Sequence, residues 1–197
     1  MRITMKKTII ALLAVVILLI VSQVQAIDVD FYSDAIIGPG DDYELVFVYD
    51  TSPLHTKVEM FGGNVFGFIT HDSSIVNIHG GELEKGITTY DSSKLSIYGG
   101  TILLDTPLLT GSSTLNIYGG DVRMGAPFAD NSSTINIYGY DFSEFPAFSL
   151  TGYLSDGTPF EFMELTYAYS HINLVVIPEP ATILFFCLGA LLLRKRN

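Results

Sequence analysis

Tyr98, Tyr118 and Tyr138 stand 20 residues apart, and Asn116 and Asn136 lie two places before the last two of them. Aromatic faces pack on sugar rings while carboxamides bond hydroxyls, so this set is a candidate glycan-binding face. Repetition alone also stacks like residues, and such ladders stabilise neighbouring coils without any ligand. Asp121 and Asp141 are a second pair at the same spacing. They are weak calcium candidates, since that ion takes carboxylate oxygens at about 2.3–2.6 Å. Two solvated turn carboxylates are the favoured explanation, because surface acids usually need no ligand. His71, Asp72 and Ser73 contain the residue types of a hydrolytic triad. Neighbours on one strand point to opposite faces, however, and Tyr90-Asp91-Ser92 fills the equivalent place, which marks turn chemistry. The sequon Asn131-Ser132-Ser133 falls in the same turn position. A polysaccharide lyase or hydrolase would need an arginine or lysine base or clustered carboxylates. Here Lys85, Lys94 and Arg123 occupy different positions of the repeat, so no catalytic residue is assigned and no cofactor is called for.

The elements that must position these residues are repeats. Five segments share one pattern: Thr56 to Gly63, Ser74 to Gly81, Ser93 to Gly100, Ser113 to Gly120, and Ser133 to Tyr140. A period near 20 with one strand-like motif per unit predicts a solenoid. Val58, Val76, Leu95, Leu115 and Ile135 form one apolar column, and Met60, Ile78, Ile97, Ile117 and Ile137 form a second. Gly-Gly then permits a corner with positive φ. Beyond it runs a third column of Val65, Leu83, Ile102, Val122 and Phe142. The expected fold is all-β: a short right-handed parallel β-helix of about five coils of 18–20 residues, with a cap at each end. A right-handed coil is favoured because the six-residue period of left-handed helices is absent. A β-sandwich would want Asn-Gly hairpins, and the repeats contain none. Residues 27–55 are read as N-terminal cap and first strand, 56–142 as repeats, and 143–177 as a C-terminal cap with a hairpin at Ser155-Asp156-Gly157-Thr158.

Both chain ends look like addresses rather than domains. Arg2, Lys6 and Lys7 precede an apolar stretch from Thr8 to Val21, and Ala26 supplies the small residue of a signal-peptidase site, so 1–26 reads as a signal peptide handled by the general export machinery. At the other end, Pro178-Glu179-Pro180 is followed by the apolar run Ala181 to Leu193 and by Arg194-Lys195-Arg196. Thirteen residues make a helix of roughly 20 Å, shorter than the roughly 30 Å hydrocarbon core, and the basic cluster holds its end on the cytoplasmic side. Both segments are expected to be hydrophobic targeting helices. The ending 178–197 resembles the PEP-CTERM sorting signal. That resemblance implies processing by an exosortase-type membrane peptidase, with transient anchoring before the body reaches the cell surface or the exterior. It also implies an association with extracellular polymer production.

Six of the ten basic residues lie in these two ends. The body keeps Lys57, Lys85, Lys94 and Arg123 against 21 acids, Glu179 included, a net of about −17. Such a charge repels nucleic acid, which is excluded as a partner. The only cysteine, Cys187, is in the apolar tail, so packing alone stabilises the body. The expected function is a non-catalytic structural protein of the cell surface or matrix. The alternative is an adhesin-like module binding exopolysaccharide, and a polysaccharide-cleaving enzyme is a third reading.

Overall fold

The computed structural model describes residues 26–51, 55–145 and 149–178. The segments expected to be targeting helices, 1–25 and 179–197, lie outside the described residues, and with them Glu179, Pro180, Arg194, Lys195 and Arg196. No helix among the described residues is long and apolar enough to cross a membrane.

The chain is a parallel β-solenoid of about five turns. It opens with β1 (Ile27–Phe31), β2 (Ala35–Ile37), β3 (Asp42–Val48) and β4 (Lys57–Met60). β5 (Asn64–Thr70), β6 (Ile75–Ile78), β7 (Glu82–Thr89) and β8 (Lys94–Ile97) follow. Next come β9 (Thr101–Leu104), β10 (Leu108–Leu109), β11 (Thr114–Ile117), β12 (Asp121–Met124), β13 (Phe128–Ala129) and β14 (Thr134–Phe145). The end comprises β15 (Ser149–Leu154), β16 (Pro159–Phe162), two single 3-10 turns at Leu165–Tyr167 and Tyr169–His171, and β17 (Ile172–Val176).

One face is a parallel ladder running β2, β4, β6, β8, β11, β14, β17. Its register stacks the two apolar columns expected from sequence, Val58 to Ile135 and Met60 to Ile137, and all ten side chains are at 0% exposure. Alternation puts every second residue of a strand inward, and parallel register lays each on its equivalent in the next rung. A second face stacks β1, β3, β5, β7, β9 and β12. A third joins the ends of β5 and β7 to β10 and β13.

The corners are built from two kinds of residue. Gly63, Gly81, Gly100 and Gly120 turn at φ of 81°, 95°, 101° and 97°. At the opposite corner Asp72, Asp91, Gly111 and Asn131 sit at φ of 59°, 57°, 72° and 54°. Asp and Asn tolerate the left-handed region better than other side chains, so this corner needs glycine only once. Inside it, Ser74, Ser93, Ser113 and Ser133 form a buried hydroxyl file. Short links satisfy them: Ser93 Oγ donates to Tyr90 O at 2.6 Å, Thr89 Oγ1 to Ser113 Oγ at 3.0 Å, and Ser133 Oγ to Asp130 O at 2.7 Å.

Three features differ from the sequence expectation. The segment Ile27 to Gly40, read as a cap, closes the stack as further turn of it: β1 pairs in parallel with β3, and β2 with β4. The fifth repeat does not turn. Tyr140 stands where the earlier repeats have the positive-φ glycine, and β14 runs straight on to Phe145. Phe142 therefore leaves the third column, and β12 meets Phe162 of β16 instead. The Ser155–Thr158 hairpin forms, with β15 and β16 antiparallel, but β15 pairs with the overrunning half of β14. β17 then returns to the first ladder, with Ile172 on Ile135 and Leu174 on Ile137. Every buried apolar residue described lies between Ile37 and Ala168, so residues 27–177 hold a self-contained core.

Candidate functional site

The outer side of the β4–β17 ladder carries the residues singled out for glycan binding. One file runs Glu59, Asn77, Ser96, Asn116, Asn136, Asn173 in successive rungs. Its side chains bond one another at four of the five steps, the step from Asn77 to Ser96 excepted. Asn77 Nδ2 donates to Glu59 Oε1 at 3.1 Å, Asn116 Nδ2 to Ser96 Oγ at 3.2 Å, Asn136 Nδ2 to Asn116 Oδ1 at 2.9 Å, and Asn173 Nδ2 to Asn136 Oδ1 at 3.2 Å. Ser96 and Asn116 are buried although they face outward, at 1% and 2% exposure.

Beside that file the rings stack. Centroid separations are 4.8 Å for Phe61–His79, 5.0 Å for His79–Tyr98, 4.8 Å for Tyr98–Tyr118 and 4.1 Å for Tyr118–Tyr138. Interplanar angles of 4° to 18° mean that each ring covers its neighbour's face. A sugar needs a free face, and the inner members of this ladder offer only edges and hydroxyls. Sequence spacing located Tyr98, Tyr118, Tyr138, Asn116 and Asn136 together, but the rung repeat of about 4.8 Å turns their binding surfaces toward one another.

Burial, followed by the hydrogen bond with Tyr138, raises the Tyr118 phenol from 10.0 to about 12. The folded state thus holds this proton more tightly than the unfolded chain. The associated stability is fully present below pH 10 and is lost as pH rises through about 12. Absorbance titration at 295 nm is expected to show Tyr118 among the late-ionising tyrosines, and Tyr138→Phe is expected to advance its step. A late transition unmoved by that substitution would remove the pair as its cause. At the start of the file, burial pushes the Glu59 carboxyl up, yet hydrogen bonds from Lys57, His79 and Asn77 outweigh it and leave the group lowered.

A second aromatic stack, Tyr32–Tyr49–His71–Tyr90, has spacings of 5.1, 4.9 and 4.8 Å. It was readable in the aromatic-Asp pairs Tyr49-Asp50, His71-Asp72 and Tyr90-Asp91 that precede each corner. It also dissolves the apparent triad. His71 is sandwiched between two tyrosines, Asp72 holds the left-handed corner, and Ser73 Oγ donates to Asp50 Oδ2 at 2.7 Å. In the sequon, Asn131 holds the same corner and donates to Asp130 Oδ1 at 2.9 Å, while Ser133 is buried.

No protein family, curated protein or solved structure matches this chain.

Asp121 and Asp141 do not come together as adjacent rungs. Asp121 pairs with Thr101 and its carboxylate lies 3.7 Å from Arg123 Nη2, whereas Asp141, at φ 52°, sits in the register shift of β14 against β15 between Tyr140 and Ser143. The sequence alignment placed them in one column because it extended the Gly-Gly corner to Gly139-Tyr140. Among the described residues no cluster of three metal-ligating side chains occurs. The straightened β14 creates something the repeats did not foretell: a cleft of about 650 Å³ between β9–β12 and the β15–β16 hairpin. Leu103, Met163 and Phe160 line it with Asp105, Asp121, Arg123 and Glu161. Arg123 and Asp121 are both well exposed there, so their ion pair is weak and salt-sensitive. The hairpin tip is tied down, with Asp156 Oδ2 accepting from Gly120 N at 2.8 Å and Ser155 Oγ donating to Tyr118 O at 2.6 Å.

Proposed function

We propose that the chain is an exported, non-catalytic structural protein of the cell surface or extracellular matrix. In this reading a right-handed parallel β-helix body is flanked by two targeting helices, the first removed after Ala26 and the second sorted through Pro178 to Asn197 by an exosortase-type peptidase. One observation carries the structural role: the outward amide file and the aromatic stack both close on themselves, so the repeated surface stiffens the stack instead of presenting a ligand face. Stacked rings and amide ladders strengthen neighbouring coils in proportion to their number.

The expected result is that residues 27–177 bind no member of a glycan array, while Tyr118→Ala with Tyr138→Ala lowers thermal stability. Specific glycan binding abolished by those two substitutions would replace this reading with the adhesin-like one. New reducing ends released from an acidic polysaccharide would replace it with an enzyme. For the address, cells expressing the chain with and without residues 178–197 are fractionated. Retention of the truncated form away from the surface supports the sorting role, and equal release of both forms removes it.

A further inference from the structure

We propose that the two ends of the solenoid are complementary and that copies of this chain stack head to tail into filaments, β17 of one copy pairing in parallel with β2 of the next. The inference deepens the structural reading given above.

The ladder ends on an unfinished edge at each side. β17 pairs with β14 alone, and β2 with β4 alone, among the described residues. The groups on those edges follow from the parallel pattern, in which alternate residues turn their N–H and C=O to opposite neighbours. Ile177 N donates to Gly139 O at 2.8 Å, so Asn173 and Val175 face β14 as well, and Ile172, Leu174 and Val176 face the open edge. On β2, Ile37 O accepts from Phe61 N at 2.9 Å, which leaves Ile36 facing the opposite way. Open parallel edges of this kind are templates for another strand.

A translated second copy fits this edge without reversing anything. β2 and β17 run in the same direction within one molecule because both belong to one parallel ladder. The register that continues the columns puts Ala35 on Ile172, Ile36 on Asn173 and Ile37 on Leu174. Ile36 N–H then donates to Ile172 C=O, and Leu174 N–H donates to Ile36 C=O. Ala35, Ile172 and Leu174 are only partly buried and are packed against the core from one side, as end rungs awaiting a neighbour would be. Next to β17 a cleft of about 100 Å³ is lined by the apolar Leu150, Leu165, Ile172 and Leu174 together with the polar Glu144 and Tyr169. At the other end Ile36 is 71% exposed in a file that is otherwise polar, and Val176 is 73% exposed beside the C-terminal edge. Gly38 N–H is already bound to Asp41 Oδ2 at 2.7 Å, which limits the new contact to β2 itself. The contact joins two different surfaces and does not close, so it propagates as a filament rather than a ring.

The test uses residues 27–177, which contain the whole described core and no cysteine. This makes it independent of export and of glycan binding. Ile36→Cys and Asn173→Cys introduce two thiols that are six rungs apart within one copy, roughly 29 Å, far beyond disulfide reach, but adjacent across the proposed contact. Both positions are exposed, so the fold should survive. Oxidation with diamide at about 0.3 M salt, which screens the acidic repulsion, is expected to give dimers, trimers and longer species from the double variant. Each single variant should give at least tenfold less product. Adding Leu174→Pro removes the edge N–H that would donate to Ile36 C=O without touching a bond to β14, and is expected to cut the ladder at least tenfold with an unchanged circular dichroism spectrum. Monomer alone from the double variant overturns the proposal. So does efficient dimerisation of Ile36→Cys by itself, which would show two N-terminal ends meeting, or a ladder that survives Leu174→Pro.

Discussion

Gly100→Ala is expected to lower the melting temperature by about 5–15 °C, while Gly86→Ala leaves it unchanged or slightly raised. Gly100 turns the corner at φ 101°, a region that L side chains enter only with strain. A Cβ built there meets Gly81 O at 2.7 Å and Gly80 C at 3.3 Å, both backbone atoms of the rung below. Neither can rotate aside as a side chain would. Backbone strain and contact together should cost about 2–4 kcal/mol. Gly86, in β7, has no positive φ, and a Cβ there meets nothing within 4 Å. The same chemical change then acts mainly by restricting the unfolded chain, worth about 0.4–1 kcal/mol in the stabilising direction. Thermal denaturation of the two variants side by side checks the corner argument. Equal losses at both positions would mean that glycine's role is general flexibility, and the corner geometry would lose its meaning.

That contrast also explains what could be read from the chain in advance. The inward columns were legible because a parallel ladder repeats its register, so Val58, Val76, Leu95, Leu115 and Ile135 must align once the period is found. The Gly-Gly corners were legible for the same reason. Tyr140 was misread because a fifth match in seven positions outweighed the single residue that decides the backbone. Once Tyr140 fails to turn, the displacement of Asp141, the antiparallel hairpin and the cleft at Arg123 follow from chain continuity, none of which a repeat alignment contains. The aromatic ladder was legible only in part. Spacing placed Tyr98, Tyr118 and Tyr138 on one surface, but the direction of each ring face depends on rung separation, and at 4.1–4.8 Å the neighbours cover one another.

Ile97→Ala is expected to destabilise the body by about 2–5 kcal/mol, the largest loss predicted for any single truncation of the columns. Ile97 is at 0% exposure in the middle of the second column, with Ile78 below it and Ile117 above. Removing its outer carbons loses their transfer free energy and leaves a void that both neighbouring rungs border. Relaxation into that void is opposed by the backbone ladder, which fixes the rungs at about 4.8 Å. Leu103→Ala is the control: Leu103 is 38% exposed at the rim of the cleft, and its loss should stay near 1 kcal/mol or below. A solenoid also couples each rung only to its neighbours, so a weakened centre should uncouple the two halves. Chemical denaturation of Ile97→Ala is therefore expected to broaden, with a lower m-value than the parent, whereas Leu103→Ala shifts little and keeps its slope. A sharp, simply displaced transition for Ile97→Ala would show that the coils unfold as one unit, held together by more than nearest-neighbour contacts. The two aromatic stacks and the hydroxyl file, which run through several rungs each, would then be the first groups to examine for that longer-range coupling.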